Sequence, residues 1–253
     1  MQQQRAASLW RQAGQGAHIF CAGNPGVDFR QADDGWLMVT GEPIADLNGA
    51  FLDAGPGTES LLREYVEVIQ GRGLNGFIVL TKAADAALSP SARKLGLVAA
   101  GPSPLMAYEP SRLPDLKSVY TVETVKDHAG ILVFTDLMAR AYGMPLDSVR
   151  RFVTGRTLEE HGVMHLIAWR DGEPYSAGTT VQTGSTVGIW NMATPAEKQR
   201  QGAGYALLIH ALHHHVDQGR GIFYLLASQA GKHLYEQVGF TTIDEGATWL
   251  IGG

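Results

Sequence analysis

The sequence predicts an α/β protein of two related halves, each a mixed and mainly antiparallel sheet flanked by helices. Three observations lead there. In the second half, extended apolar runs alternate with amphipathic helical segments. Asp171-Gly172 and Thr183-Gly184 separate three of those runs as hairpin turns. The string Gln-Gly-Arg-Gly occurs at residues 70–73 and again at 218–221, each time ending a helix and opening an apolar strand.

In the first half, Leu62, Tyr65, Val66 and Ile69 share one helix face ahead of an apolar run from Phe77 to Leu80. Four prolines between Gly101 and Pro114 mark a linker, which divides the chain into residues 1–114 and 115–253. Beyond it the order is strand (119–125), two helices (129–142 and 147–153) and three strands (164–169, 176–182, 185–192). A loop then leads to a helix over 205–217, whose Tyr205, Leu208, Ile209, Leu212 and Val216 lie on one face. A buried strand (222–227), a short helix ending at Gly239 and a last strand through 248–251 complete it. Leu95-Gly96-Leu97 repeats the pattern of Val238-Gly239-Phe240, a second echo between the halves.

Composition narrows the function classes. The chain has 253 residues, enough for one large or two modest domains, and 45% of them are apolar. A formal net charge of −5 argues against a nucleic-acid surface, which carries a basic stripe. The single cysteine, Cys21, forms no internal disulfide and reads as a small buried hydrophobe. The polar start Met-Gln-Gln-Gln-Arg-Ala-Ala-Ser has no apolar stretch of signal-peptide type behind it, and no apolar run is long enough for a bilayer. A cytoplasmic protein with no membrane or nucleic-acid partner is expected.

The segment from Asn191 to Tyr205 carries the chemistry. A strand that feeds a glycine-spaced loop opening a helix makes a cradle for phosphate oxygens, through free amides and the positive end of the helix dipole. Gly202 and Gly204 allow close approach of the main chain. The loop continues Gly-Tyr-Ala where a P-loop needs Gly-Lys-Ser/Thr. It also lacks the third glycine of a dinucleotide fingerprint. What remains, Gln199-x-x-Gly202-x-Gly204, resembles the Q/R-x-x-G-x-G/A signature of the GNAT acetyltransferases. About twenty-five residues on, Ala227-Ser228-Gln-Ala-Gly-Lys-His-Leu-Tyr235-Glu-Gln-Val-Gly239-Phe240 is similar to that family's second signature segment. The resemblance covers roughly residues 118–253, and the β-α-α-β-β-β-α-β-α-β order agrees with it.

The resemblance implies an acetyl-CoA-dependent N-acetyltransferase that acts on a small-molecule or peptide amine without a covalent intermediate. It implies that main-chain groups of Met192, Ala193 and Thr194 pair with the pantetheine arm. Amides across Gln199, Arg200, Gln201, Gly202, Ala203, Gly204 and Tyr205 would hold the pyrophosphate, with Arg200 adding charge. Ser228 stands where relatives often carry an asparagine that contacts the CoA arm, and it also suits a helix N-cap. Tyr235 would protonate the departing thiolate. An ordinary phenol of pKa about 10 keeps its proton at neutral pH and can give it to a thiolate whose conjugate acid lies at about 8.5. A carbonyl-polarising strand amide is expected near Met192.

Matching the two halves places Ala54-Gly-Pro-Gly57 at the phosphate loop and Ala92 at Tyr235. The first half thus lacks cradle and acid, and serves as scaffold or as a wall of the acceptor site. The attacking amine needs a base, since about one alkylamine in two thousand is neutral at pH 7. Glu123, Asp127, His128, His165 and Glu173 are candidates, and none is assigned. His210 and His214 have metal-ligand spacing, but with His213 and His215 they lie mostly opposite the apolar stripe of their helix, so no metal is expected. The alternatives are a CoA-binding regulator without turnover and a transferase of longer acyl groups. Acceptor identity and the choice between monomer and homodimer stay open.

Overall fold

Eleven strands form one continuous sheet in the computed structural model, which describes residues 2–22, 24 and 26–252. The chain runs α1 (Gln2–Ala22), β1 (Asp28–Ala32), β2 (Gly35–Val39), β3 (Asn48–Leu52), α2 (Thr58–Gln70), β4 (Gly76–Leu80), α3 (Lys82–Lys94) and β5 (Val98–Tyr108). It continues as β6 (Thr121–Thr124), α4 (His128–Tyr142), α5 (Leu146–Phe152), β7 (Val163–Arg170), β8 (Glu173–Thr183), β9 (Thr186–Ala193), α6 (Ala203–Asp217), β10 (Ile222–Leu226), α7 (Lys232–Val238) and β11 (Thr241–Ile251). Among the described residues only the pairings β3·β4 and β9·β10 are parallel. The rest of the ladder is antiparallel, as expected for a mixed sheet.

The order across the sheet is β1-β2-β3-β4-β11-β5-β10-β9-β8-β7-β6, so the two halves exchange their last strands. β11 pairs with β4 of the first half (Phe77 opposite Leu250, Leu80 opposite Ala247). β5 pairs with β10 of the second (Leu105 opposite Leu226, Tyr108 opposite Phe223). Side chains follow the exchange. Trp249 and Ile251 are each 2% exposed inside the core of the first half, and Trp249 Nε1 donates to Asp85 Oδ1 at 2.8 Å.

Alternation along the strands sorts the helices onto two faces. In β3, Ala50 and Leu52 point to the α2/α3 layer while Phe51 points to α1. In β7, Leu166 and Ala168 meet α6 while Ile167 meets α4. One face therefore carries α1, α4 and α5, and the other carries α2, α3, α6 and α7. Helix α1 was not foreseen, because its apolar residues are interrupted by Gly14 and Gly16. Those glycines are what let it lie close on the sheet: a Cβ at 14 would fall 2.7 Å from Trp36 Cδ1, and one at 16 would fall 3.2 Å from Tyr224 Oη.

Three expectations are corrected. Residues 101–108 are not linker but the inner strand β5, despite Pro102 and Pro104. The Ala227 amide donates to the Pro104 carbonyl at 3.0 Å, so that edge of residue 104 faces β10 just where β10 ends, and no ladder donor is needed there. The last strand begins at Thr241, well before Thr248. The Gln-Gly-Arg-Gly strings are out of register by two residues. In the first copy the left-handed glycine is Gly73 (φ +66°), with Leu74 donating to the Ile69 carbonyl. In the second it is Gly219 (φ +77°), with Arg220 donating to His215. The other echo is geometric. Leu97 donates to the Ala92 carbonyl and Phe240 to the Tyr235 carbonyl, each at 3.0 Å, closing both helices past a left-handed glycine.

The exchange makes each half's core depend on the other's strand. Expressed separately, fragments 1–114 and 115–253 should lack a cooperative thermal transition by circular dichroism, and mixing them should restore one. Independent cooperative melting of either fragment would contradict this.

Candidate active site

Strands β9 and β10 pair only at Thr186/Ile222, Val187/Phe223 and Gly188/Tyr224, then part. A bulge in β9 accompanies the parting. Between Ala177/Ala193 and Thr179/Trp190 the β8 register absorbs one extra β9 residue, and Asn191 there has φ +53°. Asparagine tolerates that conformation better than other side chains with a Cβ. Its amide donates to Thr179 Oγ1 (3.4 Å), which bonds His165 Nδ1 (2.9 Å), while His165 Nε2 bonds Thr157 Oγ1 (2.7 Å). Thr157 gives its own proton to the Thr154 carbonyl (2.7 Å), so the imidazole must donate from Nε2 and accept at Nδ1. That requires the neutral ring, and burial holds its pKa down at about 4. His165 therefore braces the bulge and is ruled out as the base for the amine.

The first half has no such gap. β3 and β4 stay paired to Leu52/Leu80, where the Thr81 amide donates to Leu52 (3.0 Å) and Thr81 Oγ1 to Asp53 Oδ1 (2.9 Å), stitching the strand ends.

At the end of β9 the chain turns through Pro195 and a short 3₁₀ segment, Ala196–Lys198, into the glycine loop. Arg200 (φ +60°) and Gly202 (φ +87°) both adopt left-handed backbone. Among the described residues, the amides of 200–205 find no protein acceptor. The first bond of α6 runs from Ala206 to the Gly202 carbonyl (2.9 Å), and no side chain caps the helix. A Cβ on Gly204 would reach 3.6 Å from both Thr194 Oγ1 and Leu234 Cδ2, so this helix end faces the space between β9 and α7. Arg200 is exposed and makes no ion pair or hydrogen bond among the described residues. The Gln199 amide is engaged by the Ala196 carbonyl (3.3 Å) and its side chain by the Thr194 carbonyl (3.0 Å). The run of amides without a protein acceptor accordingly begins at Arg200 rather than at Gln199.

A brace unseen in the sequence holds this loop. Tyr120 Oη donates to the Gln201 carbonyl (2.9 Å) and Arg170 to Gln201 Oε1 (3.0 Å). The Arg170 guanidinium lies 4.3 Å from the Tyr175 ring centre and 5.4 Å from that of Tyr120. These residues belong to three separate strands or turns, so no local pattern announces them.

Tyr235 is 7% exposed, with its ring edge-on to Phe240 at 5.9 Å, and burial raises its phenol to about 12. Gly231 makes room for it, since a Cβ there would lie 3.1 Å from Tyr235 Cε2. Ser228 Oγ accepts from the Gly231 amide (3.1 Å), capping the turn into α7. The carbonyls of Met192, Ala193 and Thr194 already accept from Tyr142 Oη (2.9 Å), Ser176 Oγ (3.1 Å) and Gln199 Nε2 respectively. Sequence reasoning missed Tyr142, the last residue of α4. It is 43% exposed and lines, with Asp46 and Asn191, a cavity that reaches the gap.

The remaining candidates lie elsewhere. Asp127 caps α4 through the Gly130 amide (2.8 Å), Glu173 pairs with Lys198 (3.4 Å), and Glu123 and His128 are exposed. His215 corrects the expectation for the histidine run: it is 3% exposed and bonds Thr180 Oγ1 (2.8 Å). His213 bonds the Pro114 carbonyl (2.8 Å). Among the described residues no group of three or more His, Cys, Asp or Glu is placed to hold a metal ion, and no helix is long and apolar enough to cross a membrane. Cys21 is buried, with its thiol pushed up to about 12.

Residues 147–248 match the family model of the acetyltransferase (GNAT) domain, a span from α5 to β11 that holds bulge, loop and Tyr235. No curated protein matches the chain. Among solved structures it resembles a GCN5-related N-acetyltransferase from Kribbella flavida (TM-score 0.70, 14% identity, 96% of each chain). It also resembles one from Sphaerobacter thermophilus (0.64, 13%, 87% of this chain and 78% of that one). A tandem GNAT protein from the clavulanic acid biosynthesis pathway gives 0.61 at 14% identity, over 92% of this chain and 87% of the other. At such identities the likeness is one of fold.

His165 and His215 are both held neutral by burial, their pKa values lowered from the ordinary 6.5 to about 4. The unfolded chain binds more protons between those limits, so stability is full above pH 6.5 and falls as pH drops towards 4, by up to roughly 3 kcal/mol per ring. Urea titrations across this window should show a shallower slope in His215→Gln; an unchanged slope would contradict the buried neutral ring.

Proposed function

Residues 147–248 match the acetyltransferase (GNAT) domain, and from that premise we propose that the protein moves the acetyl group of acetyl-CoA directly onto a primary amine. The observation that carries this is the row of unpartnered amides at 200–205, set where β9 and β10 part and beside Tyr235. Acceptorless amides at an uncapped helix end suit a diphosphate, and left-handed Gly202 and side-chain-free Gly204 keep the approach open. Arg200 adds a free cation there.

When bound, acetyl-CoA would supply an activated acyl group and a thiolate leaving group. Amides 200–205 would hold its diphosphate, and the bulged backbone near Met192 would orient the acyl carbonyl. Tyr235 would donate its proton to the sulfur. A phenol at about 12 is a weak acid beside a thiol in water, but the loss of solvent that raises it would raise a thiol held beside it as well. Burial thus brings donor and acceptor towards a match that bulk water would deny. The first half would supply a wall for the acceptor.

Tyr235→Phe should lower turnover by about 100-fold or more, the usual worth of a general acid. Calorimetric affinity for acetyl-CoA should change little. Wild-type turnover in the variant would remove the acid role, and absence of acetyl-CoA binding to the folded wild type would remove the whole proposal.

A further inference from the structure

On the α1/α4 face, a cavity of about 240 Å³ opens between the two halves. It reaches the parting strands directly, since Trp190 and Asn191 of the bulge and Leu226 at the end of β10 all line it. That volume lies just below the range of about 300–1,000 Å³ usual for ligand sites, so it suits a small molecule. Aromatic walls come from both halves: Trp36, Phe51 and Phe77 from the first, Phe152 and Trp190 from the second, with Phe20 from α1. No lysine, arginine or histidine lines it, and its one acidic residue is Asp46, in the 3₁₀ turn Ala45–Leu47. Asp46 is exposed at the mouth and makes no ion pair or hydrogen bond among the described residues. Its charge is nevertheless felt by Tyr142, whose hydroxyl bonds the Met192 carbonyl.

We propose that this cavity is the acceptor site, and that the acceptor is a small arylalkylamine whose ring fills the aromatic chamber while Asp46 receives its ammonium. This rests on the transferase reading above and deepens it. A peptide or an aminated sugar would leave many polar groups without partners in such walls, at a cost of several-fold in affinity per group. An ammonium on an apolar body gains both from the lone carboxylate and from the ring faces around it. The amine would enter charged, lose its proton near the mouth, and then attack as the neutral base. The C–N bond forms as the C–S bond breaks, Tyr235 gives its proton to the sulfur, and the amine's surplus proton restores the Tyr235 hydroxyl.

The test uses the full chain and 2-phenylethylamine, with spermidine, lysine amide and uncharged 2-phenylethanol as comparisons. Binding is read by quenching of tryptophan fluorescence and by calorimetry, and turnover by thiol release with acetyl-CoA. Expected are saturable binding and acetylation of 2-phenylethylamine, with kcat/KM at least about ten times that of spermidine or lysine amide. Asp46→Asn should raise the amine's Kd and KM about tenfold or more, leave 2-phenylethanol binding unchanged, and leave acetyl-CoA affinity intact. Two results would overturn the assignment while the transferase reading stands: acetylation of spermidine or lysine amide in preference, or an Asp46→Asn variant that binds 2-phenylethylamine as wild type does. Absence of acetyl-CoA binding would instead sink the transferase reading, with amine binding by fluorescence still deciding the cavity.

Discussion

The parting of β9 from β10 is the constraint on which the site depends. Parallel strands tend to stay paired, because each ladder bond given up leaves a donor and an acceptor to satisfy elsewhere. Here the ladder stops after Gly188/Tyr224, and the Asn191 bulge carries the β9 backbone away. A left-handed asparagine is costly unless its surroundings hold it. The chain from Asn191 through Thr179, His165 and Thr157 to the Thr154 carbonyl does so, with every donor directed one way. Once the strands part, three things converge on the opening: the uncapped start of α6, the buried phenol of Tyr235, and the aromatic cavity of the opposite face.

The first half makes the contrast. It has the same parallel pair, the same following helix and the same left-handed glycine closing its second helix, yet its strands are tied together by Thr81 and Asp53. Ala92 stands where Tyr235 stands, fixed by the matching bond from Leu97. Its contribution is structural: it lends β5 to the second half, accepts β11 in return, and walls the cavity with Trp36, Phe51 and Phe77. Strand exchange ties the position of those walls to the position of the gap.

Much of this was legible in the sequence, for a physical reason. Local devices leave local marks: the glycines of the α6 loop, the left-handed Gly239 after α7, the apolar face of α2 with Leu62, Tyr65, Val66 and Ile69. What was illegible is non-local. Pro102 and Pro104 read as linker because their tolerance depends on where β10 happens to end. The strand exchange, the bonds of Tyr120 and Arg170 to Gln201 and the Tyr142 bond to Met192 join residues far apart in sequence, with no spacing to betray them. His215 is illegible as a buried residue because a histidine run looks polar and its partner, Thr180, lies on the distant strand β8.

The central claim is that an acyl-CoA diphosphate takes the amides of residues 200–205. Hydrogen–deuterium exchange at residue resolution tests it most directly, since amides without protein acceptors exchange fast until a ligand engages them. At saturating acetyl-CoA, exchange at 200–205 should slow by about tenfold or more, while Ala54–Thr58 in the first half stays unchanged. Unaltered exchange across 200–205, or protection confined to Ala54–Thr58, would contradict the account.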